Sequence, residues 1–422
     1  MAQPKKVIPF ESVTQPWEPV PTPSRFKNAL SKYRVWRDEK RCIKCGRCVE
    51  VCPYGVHAKA GNFLRRPKGY RCLGTACQSN EFYCVKQCPA QALKVSIHPV
   101  YGTLGDSRWT PDLLLANWWQ AETGELPYID LDYRLGDSGG GFDKLRFLFP
   151  KARPDFQLSH DDISLEVEIN RRGDGRPQIK LAVPWYGGGM SFGSVSINTI
   201  ISRVQAAIRF NTMVSTGEGG YPEALYPYDD NIVTQIATGL FGVREETIQR
   251  VRMVEFKYAQ GAKPGLGGHL LGEKVTPSVA RMRESVAGSS LFSPFPFHSV
   301  YSVEDHKKHI DWIKEINPRA LVAVKVSTPT DVDMVAVGSY YAGAHIVHLD
   351  GSYGGTGAAP DIAKKNIAMP IEYAIPKVHK FLVAEGIRDD ITLIASGGIR
   401  TALDALKAIA LGADGVVVGT VE

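Results

Sequence analysis

The run Ile391–Thr420, "ITLIASGGIRTALDALKAIALGADGVVVGT", holds two β-branched segments that each end in glycine and a polar residue, with one amphipathic stretch between them. Strand, helix, strand in that order is a βαβ unit, which pairs its strands in parallel. Working back along the chain, the same alternation recurs as far as Leu181. Its β-rich segments are "LAVPWYGGG", "TMVSTGEGG", "VEFKYAQG", "SLFSPFP", "LVAVKVS", "HIVHLDGS", "ITLIASGG" and "GVVVGT". Helix starts are marked between them. Thr276-Pro277 offers a cap with proline at the first helical position, and Ser302-x-x-Asp305 approximates a capping box. Eight strand candidates alternating with helices over roughly 240 residues fit the size of an α/β (β/α)8 TIM barrel. A doubly wound sheet is the alternative. Glycines at the C-terminal strand ends favour the barrel.

Such barrels place ligands at the C-terminal ends of the strands, often with a phosphate after strands seven and eight. Here those ends are "SGGIRT" and "VGTVE", which makes Gly397, Gly398, Gly419 and Thr420 phosphate candidates. Glycine lets backbone N–H groups approach an anion, and a following helix N-terminus adds a favourable dipole. A tight βα turn would use Gly397 and Gly398 equally well.

All eight cysteines lie between positions 42 and 88. Cys42, Cys45, Cys48 and Cys52 form C-x2-C-x2-C-x3-C followed by proline, the bacterial ferredoxin run whose fourth cysteine ligates a second cluster. Cys72, Cys77, Cys84 and Cys88 are spaced more loosely but also end in Cys-Pro. By analogy, Cys42, Cys45, Cys48 and Cys88 hold one 4Fe–4S cluster, and Cys72, Cys77, Cys84 and Cys52 hold the other. Structural zinc normally uses two separated C-x2-C pairs and leaves the regular three-cysteine run unexplained. No secretory or transit signal precedes Cys42, and no apolar run approaches the ~18 residues of a membrane span. A reducing, cytoplasmic compartment follows as the expectation.

Residues 1–100 carry 18 Lys and Arg against 6 Asp and Glu, a local +12 within a chain of +6, so the remainder sums to −6. Cations offset the negative charge of thiolate-bound clusters, cover a solvated face, or dock an acidic electron carrier. No nucleic-acid motif accompanies them. The expected organisation is an extended arm over 1–40, a ferredoxin-like domain over 41–98, a connecting layer over 99–180 and the barrel over 181–422.

From Gly187 onward the chain closely resembles the FMN-binding synthase domain of glutamate synthase. The resemblance is carried by "GGGMSFGS", "STGEGG", "AQGAKPGLGGHL", "EKVTP", "SPFPFHSVYSVED", "VAVKVS", "DGSYGGTGAAP" and "SGGIRTALDALKAIALGAD". With ferredoxin-like cysteines in front, the whole resembles the archaeal type, whose amidotransferase and other domains sit on separate chains. The resemblance implies that 2-oxoglutarate and ammonia give 2-iminoglutarate, which reduced FMN converts to L-glutamate. Electrons would arrive through the clusters from reduced ferredoxin or a reductase. It places Glu218, Lys263, Arg283 and His269 at the substrate. It places Met190, Ser191, Lys325, Gly354, Gly355 and Thr356 at the flavin, with Lys325 beside the N1–O2 edge. A planar guanidinium suits a carboxylate, and a lysine adds a point charge.

The chain also departs from the family pattern. "PGLGGH" stands where "PGEGGQ" is usual, so Leu266 replaces an acid and His269 a glutamine. Phe295, Phe297 and Ser299 change the segment usually written "SPPPHHD". These leave an N-methylglutamate-forming enzyme and a non-catalytic FMN and iron–sulfur electron relay as alternatives. Ala2 stands where a glutamine-hydrolysing chain needs cysteine, so no glutaminase activity is expected. The chain stops at Glu422 before an eighth helix, so the expectation is either that the barrel lacks its C-terminal end here or that a partner covers that side. His345 and His348 read as ordinary barrel residues.

Overall fold

Tyr33, Val35 and Arg37 are buried while Arg34 and Trp36 face outward, the period of two that a half-buried strand requires. This strand, β1 (Tyr33–Arg37), opens the computed structural model. The structure describes residues 31–105, 110–123, 141–149, 151, 158–264, 269–355, 359–360, 362–363 and 366–422. The first thirty residues of the expected arm, Leu266 and Thr356 lie outside them. The described residues divide into two units, one up to Asp143 and one from Lys144 to Glu422.

In the first unit, α1 (Arg47–Val51), β2 (Lys59–Ala60), β3 (Phe63–Leu64), α2 (Cys84–Gln87), β4 (Leu93–Ile97) and α3 (Pro111–Thr123) follow β1. β1 pairs antiparallel with β4, and β2 with β3. Cys48, Cys84 and Leu93 form a small core with Val49, Val51, Leu64, Val85 and Val95 packed against it. The pairing of β1 with β4 takes Tyr33–Arg37 out of the expected arm and into the cysteine-bearing unit. A strand so short, with no hydrophobic run around it, gave no sequence signal of its own.

The second unit opens with an antiparallel pair, β5 (Val167–Glu168) and β6 (Lys180–Leu181). Then come β7 (Trp185–Gly187), α4 (Ile197–Arg209), β8 (Val214–Ser215), β9 (Ile232–Ala237), α5 (Glu245–Arg250) and β10 (Met253–Lys257). α6 (Pro277–Arg283), α7 (Val303–Ile316), β11 (Leu321–Ser327), α8 (Val332–Tyr341), β12 (Ile346–Asp350), α9 (Ile371–Ala384), β13 (Thr392–Ser396), α10 (Ala402–Ala410) and β14 (Gly415–Val418) follow. β7 to β14 close into a parallel barrel in chain order. The expected eight strands are therefore present, with one substitution. "SLFSPFP" is not a strand; its place is taken by β9, "IVTQIA". Pro294 and Pro296 lack the N–H that a strand paired on both sides must donate.

At the N-terminal end of the barrel, Met213, Val233, Met253, Leu321 and Ile346 share one apolar core with Ile169, Ile179 and Leu181 of the β5–β6 pair. Each such side chain contributes about 1.5–3 kcal/mol on burial. The hairpin plugs the barrel floor, so residues 167–181 belong to the barrel rather than to a connecting layer. Helix starts follow their caps. The Thr276 side chain accepts from Val279 N with Pro277 inside the first turn, and Ser302 accepts from Asp305 N. Thr401 and Asp404 make a full capping box on α10.

Candidate active site

With the barrel floor apolar, ionisable groups gather towards the C-terminal ends of the strands. Glu255 and Lys257 sit two apart on β10 and so share its inward face. Glu255 accepts from Gln235 Nε2 of β9 (2.5 Å) and from His348 Nδ1 of β12 (2.8 Å). His348 Nε2 lies 2.7 Å from Ser396 Oγ of β13, whose hydroxyl donates to Asp350 (2.7 Å). Asp350 also accepts from Gly261 N (3.1 Å) and pairs with Lys325 Nζ (3.4 Å). Burial opposes the Lys325 charge, but Asp350, Glu255 and Glu218 outweigh it and hold its pKa above the ordinary lysine value. His345 keeps the structural role expected of it, accepting from Val322 N (2.9 Å) and donating to Asp174 (2.8 Å). His348, by contrast, ties three strands together.

Above this layer, Glu218 pairs with Lys257 (3.3 Å), both about nine-tenths buried. The β10–β11 connection brings Lys263 and Arg283 to the same carboxylate, which opposes the lowering of both their pKa values by burial. Arg283 is 2 % exposed at the end of α6. Its Nη2 donates to Ser191 Oγ (2.9 Å) and Phe192 O (3.4 Å), while Nε and Nη1 are buried without a partner among the described residues. Gly219, at φ +99°, admits this guanidinium: a Cβ there would lie 2.6 Å from Arg283 Nε. Gly217 packs as closely on Met190 and Ser191. The structure therefore brings Glu218, Lys263, Arg283, Lys325 and Ser191 together. His269 stands edge-on to Phe292 (5.4 Å between ring centres).

The glycine ends of the last three strands also meet. A Cβ on Gly398 would lie 2.8 Å from Tyr353, and one on Gly355 2.8 Å from the Thr420 hydroxyl, so the loops after β12, β13 and β14 form one cradle. Gly419 has open space where a side chain would be. Backbone free of side chains in such a cradle leaves room for N–H groups to approach an anion. Asp404 accepts from Arg400 N and Thr401 N, so those two amides are engaged within the cap of α10.

In the other unit, Cys42, Cys45, Cys48 and Cys88 rim one cavity, and Cys52, Cys72, Cys77 and Cys84 rim a second. Backbone amides donate to thiol sulfur at Gly74 N to Cys72 and Ala92 N to Cys88, both 3.3 Å. Burial, then Cys72, Cys52, Cys48 and Cys77, push the Cys84 thiol up to about 12. A metal that takes up the thiolate charge would offset the burial that disfavours ionisation of Cys84. The donor set fits iron–sulfur ligation.

Lys257, Glu255, Asp350, Gln235 and Ser396 are site residues that sequence reasoning passed over. Their signal was available at Glu255 and Lys257, two charges on the inward face of an otherwise apolar strand near its C-terminal end.

The comparisons agree with this architecture. The conserved region in glutamate synthase matches residues 149–422, and a 4Fe-4S binding domain matches residues 35–56. The archaeal-type glutamate synthase (NADPH) of Thermotoga maritima is 36 % identical over 416 residues, covering 92 % of this chain and 79 % of that one. The archaeal glutamate synthase (NADPH) of Methanocaldococcus jannaschii is 36 % identical over 421 residues, covering 92 % and 80 %. The chloroplastic ferredoxin-dependent glutamate synthase of Oryza sativa is 35 % identical over 284 residues, covering 61 % of this chain and 18 % of that one. Barrel, cysteine pattern and these likenesses converge: the chain belongs to the glutamate synthase family and is an iron–sulfur oxidoreductase.

Proposed function

We propose that the barrel binds FMN and reduces 2-iminoglutarate, formed from 2-oxoglutarate and ammonia, to L-glutamate, with electrons arriving through two 4Fe–4S clusters. Bound FMN supplies a hydride from N5 and is refilled one electron at a time. The observation that carries this reading is Arg283, buried, anchored by Ser191 and left with two donors aimed at no described residue. Those donors grip one substrate carboxylate, and Lys263 supplies a second charge. Glu218 handles the proton that the imine nitrogen takes as its carbon accepts the hydride, and Lys257 fixes that carboxylate. Lys325, held by Asp350, would offset negative charge that develops on a flavin bound there. Met190 and Ser191 would lie at its ring. Gly354, Gly355, Gly397, Gly398, Gly419 and Thr420, with Thr356 outside the described residues, would hold its phosphate.

Cys42, Cys45, Cys48 and Cys88 would carry one cluster, and Cys52, Cys72, Cys77 and Cys84 the other. Partner chains supply ammonia by glutamine hydrolysis and electrons from NADPH through a reductase or from reduced ferredoxin, in the cytoplasm. No described helix is long and apolar enough to cross a bilayer. His269 stands where glutamine is usual, and the alternative reading, in which methylamine replaces ammonia and N-methylglutamate forms, would put the difference at this residue.

Titrating the oxidised protein with 2-oxoglutarate tests the substrate assignment. We expect a flavin absorbance change that Arg283→Lys weakens by ~30-fold or more while FMN content stays constant. Equal affinity in parent and variant would contradict it.

A further inference from the structure

His57 is 4 % exposed, and neither of its ring nitrogens has a hydrogen-bond partner among the described residues. A buried polar group left unpaired costs its full desolvation penalty, so a native fold normally supplies a partner. His57 lines the cavity rimmed by Cys52, Cys72, Cys77 and Cys84. The cavity rimmed by Cys42, Cys45, Cys48 and Cys88 has no histidine among its described lining residues. Whatever its charge, an imidazole carries at least one N–H. Iron–sulfur ligation by the four cysteines that rim this cavity would bring sulfur acceptors to it.

We propose that His57 donates an N–H···S hydrogen bond to the cluster on Cys52, Cys72, Cys77 and Cys84 and raises that cluster's reduction potential. The inference rests on the two-cluster reading above. Four cysteines already complete that ligand set, so His57 acts as a positioning residue and not as a ligand. A hydrogen bond to cluster sulfur stabilises the reduced, more negative state and makes reduction easier. The cavity rimmed by Cys42, Cys45, Cys48 and Cys88 has no histidine among its described lining residues, so the two clusters should respond unequally to loss of this one side chain.

The test is an EPR-monitored redox titration of the full chain, purified anaerobically with its iron, beside His57→Leu and His57→Asn. We expect all three to hold about eight iron and eight acid-labile sulfide. His57→Leu should make one of the two clusters harder to reduce by about tenfold, a fall of about 59 mV for one electron, and leave the other unmoved. His57→Asn, which keeps an N–H, should recover most of the difference. Pulsed EPR of parent protein labelled with [15N]histidine decides the matter even if His57→Leu loses iron. A weak nitrogen coupling at one cluster supports the hydrogen bond; no coupling, or the strong coupling of a ligating nitrogen, overturns it. Unchanged midpoints, or equal shifts at both clusters, overturn it as well. A parent holding only one cluster overturns the two-cluster reading and this inference with it, whereas two intact, unresponsive clusters sink this inference alone.

Discussion

Lys257 and Glu218 form the ion pair on which the proposed substrate site turns, and it is buried on both sides. Removing one partner of such a pair leaves a stranded charge and costs about 3–5 kcal/mol. Lys257→Met should therefore lower the thermal midpoint and weaken turnover, and Lys257→Met with Glu218→Gln should recover part of the stability. Independent, additive losses in a double-mutant cycle would show that the pair carries no such energy. Lys263→Met should differ. Its ammonium is not engaged by an ion pair among the described residues, so flavin and iron should stay while reaction with the 2-oxo acid falls by ~30-fold or more. Lys263 and Arg283 were legible through the resemblance, because their motifs are long and ordered. Gln235 and Ser396 were not, since their role comes only from which strand the barrel sets beside them.

Among the elements, β9 shows why the strand pattern misled. Its buried Thr234 and Gln235 make "IVTQIA" look half-exposed, yet both are inside and Gln235 serves Glu255. "SLFSPFP" looked more apolar but carries two prolines. The β10–β11 connection was harder still, since its fold depends on close backbone approaches. A Cβ on Gly261 would lie 1.8 Å from Gly351 O, so Gly261→Ala should push this connection off β12 and cost flavin retention as well as activity. Retention of flavin with a parental thermal midpoint would contradict that. Two buried histidines give the barrel a pH limit. Burial, followed by Lys314 and against Asp174, lowers His345 to about 4 from 6.5, and burial with His309 lowers His306 to about 4. The unfolded chain then binds more protons between those values, so stability present above pH 6.5 is lost as pH falls towards 4. Each group accounts for up to about 3 kcal/mol. The thermal midpoint should fall through this window, and His345→Gln should flatten the fall. A midpoint constant from pH 6.5 to 4 would refute the assignment.

At the scale of the whole molecule, the chain carries a cysteine-rich unit and a barrel with Lys257, Lys263, Arg283 and Lys325 buried in it. The family and the barrel were legible because strand rhythm, glycine ends and cysteine spacing are all local in sequence. The floor hairpin and the strand β1 were not, because both are defined by distant partners. Anaerobically purified chain should carry about eight iron and eight sulfide and release FMN, not FAD, on denaturation. Stoichiometric zinc, or FAD, would contradict the cofactor assignment. The central claim is that this barrel passes a hydride to an imine of 2-oxoglutarate, and stopped-flow absorbance tests it most directly. Chemically reduced, oxygen-free protein is mixed with 2-oxoglutarate and ammonium, and the flavin band is followed. The account predicts rapid return of the oxidised flavin only when both are present, with L-glutamate formed and the response lost in Lys263→Met. A flavin that stays reduced with both present, or that reoxidises equally fast in Lys263→Met, would contradict it.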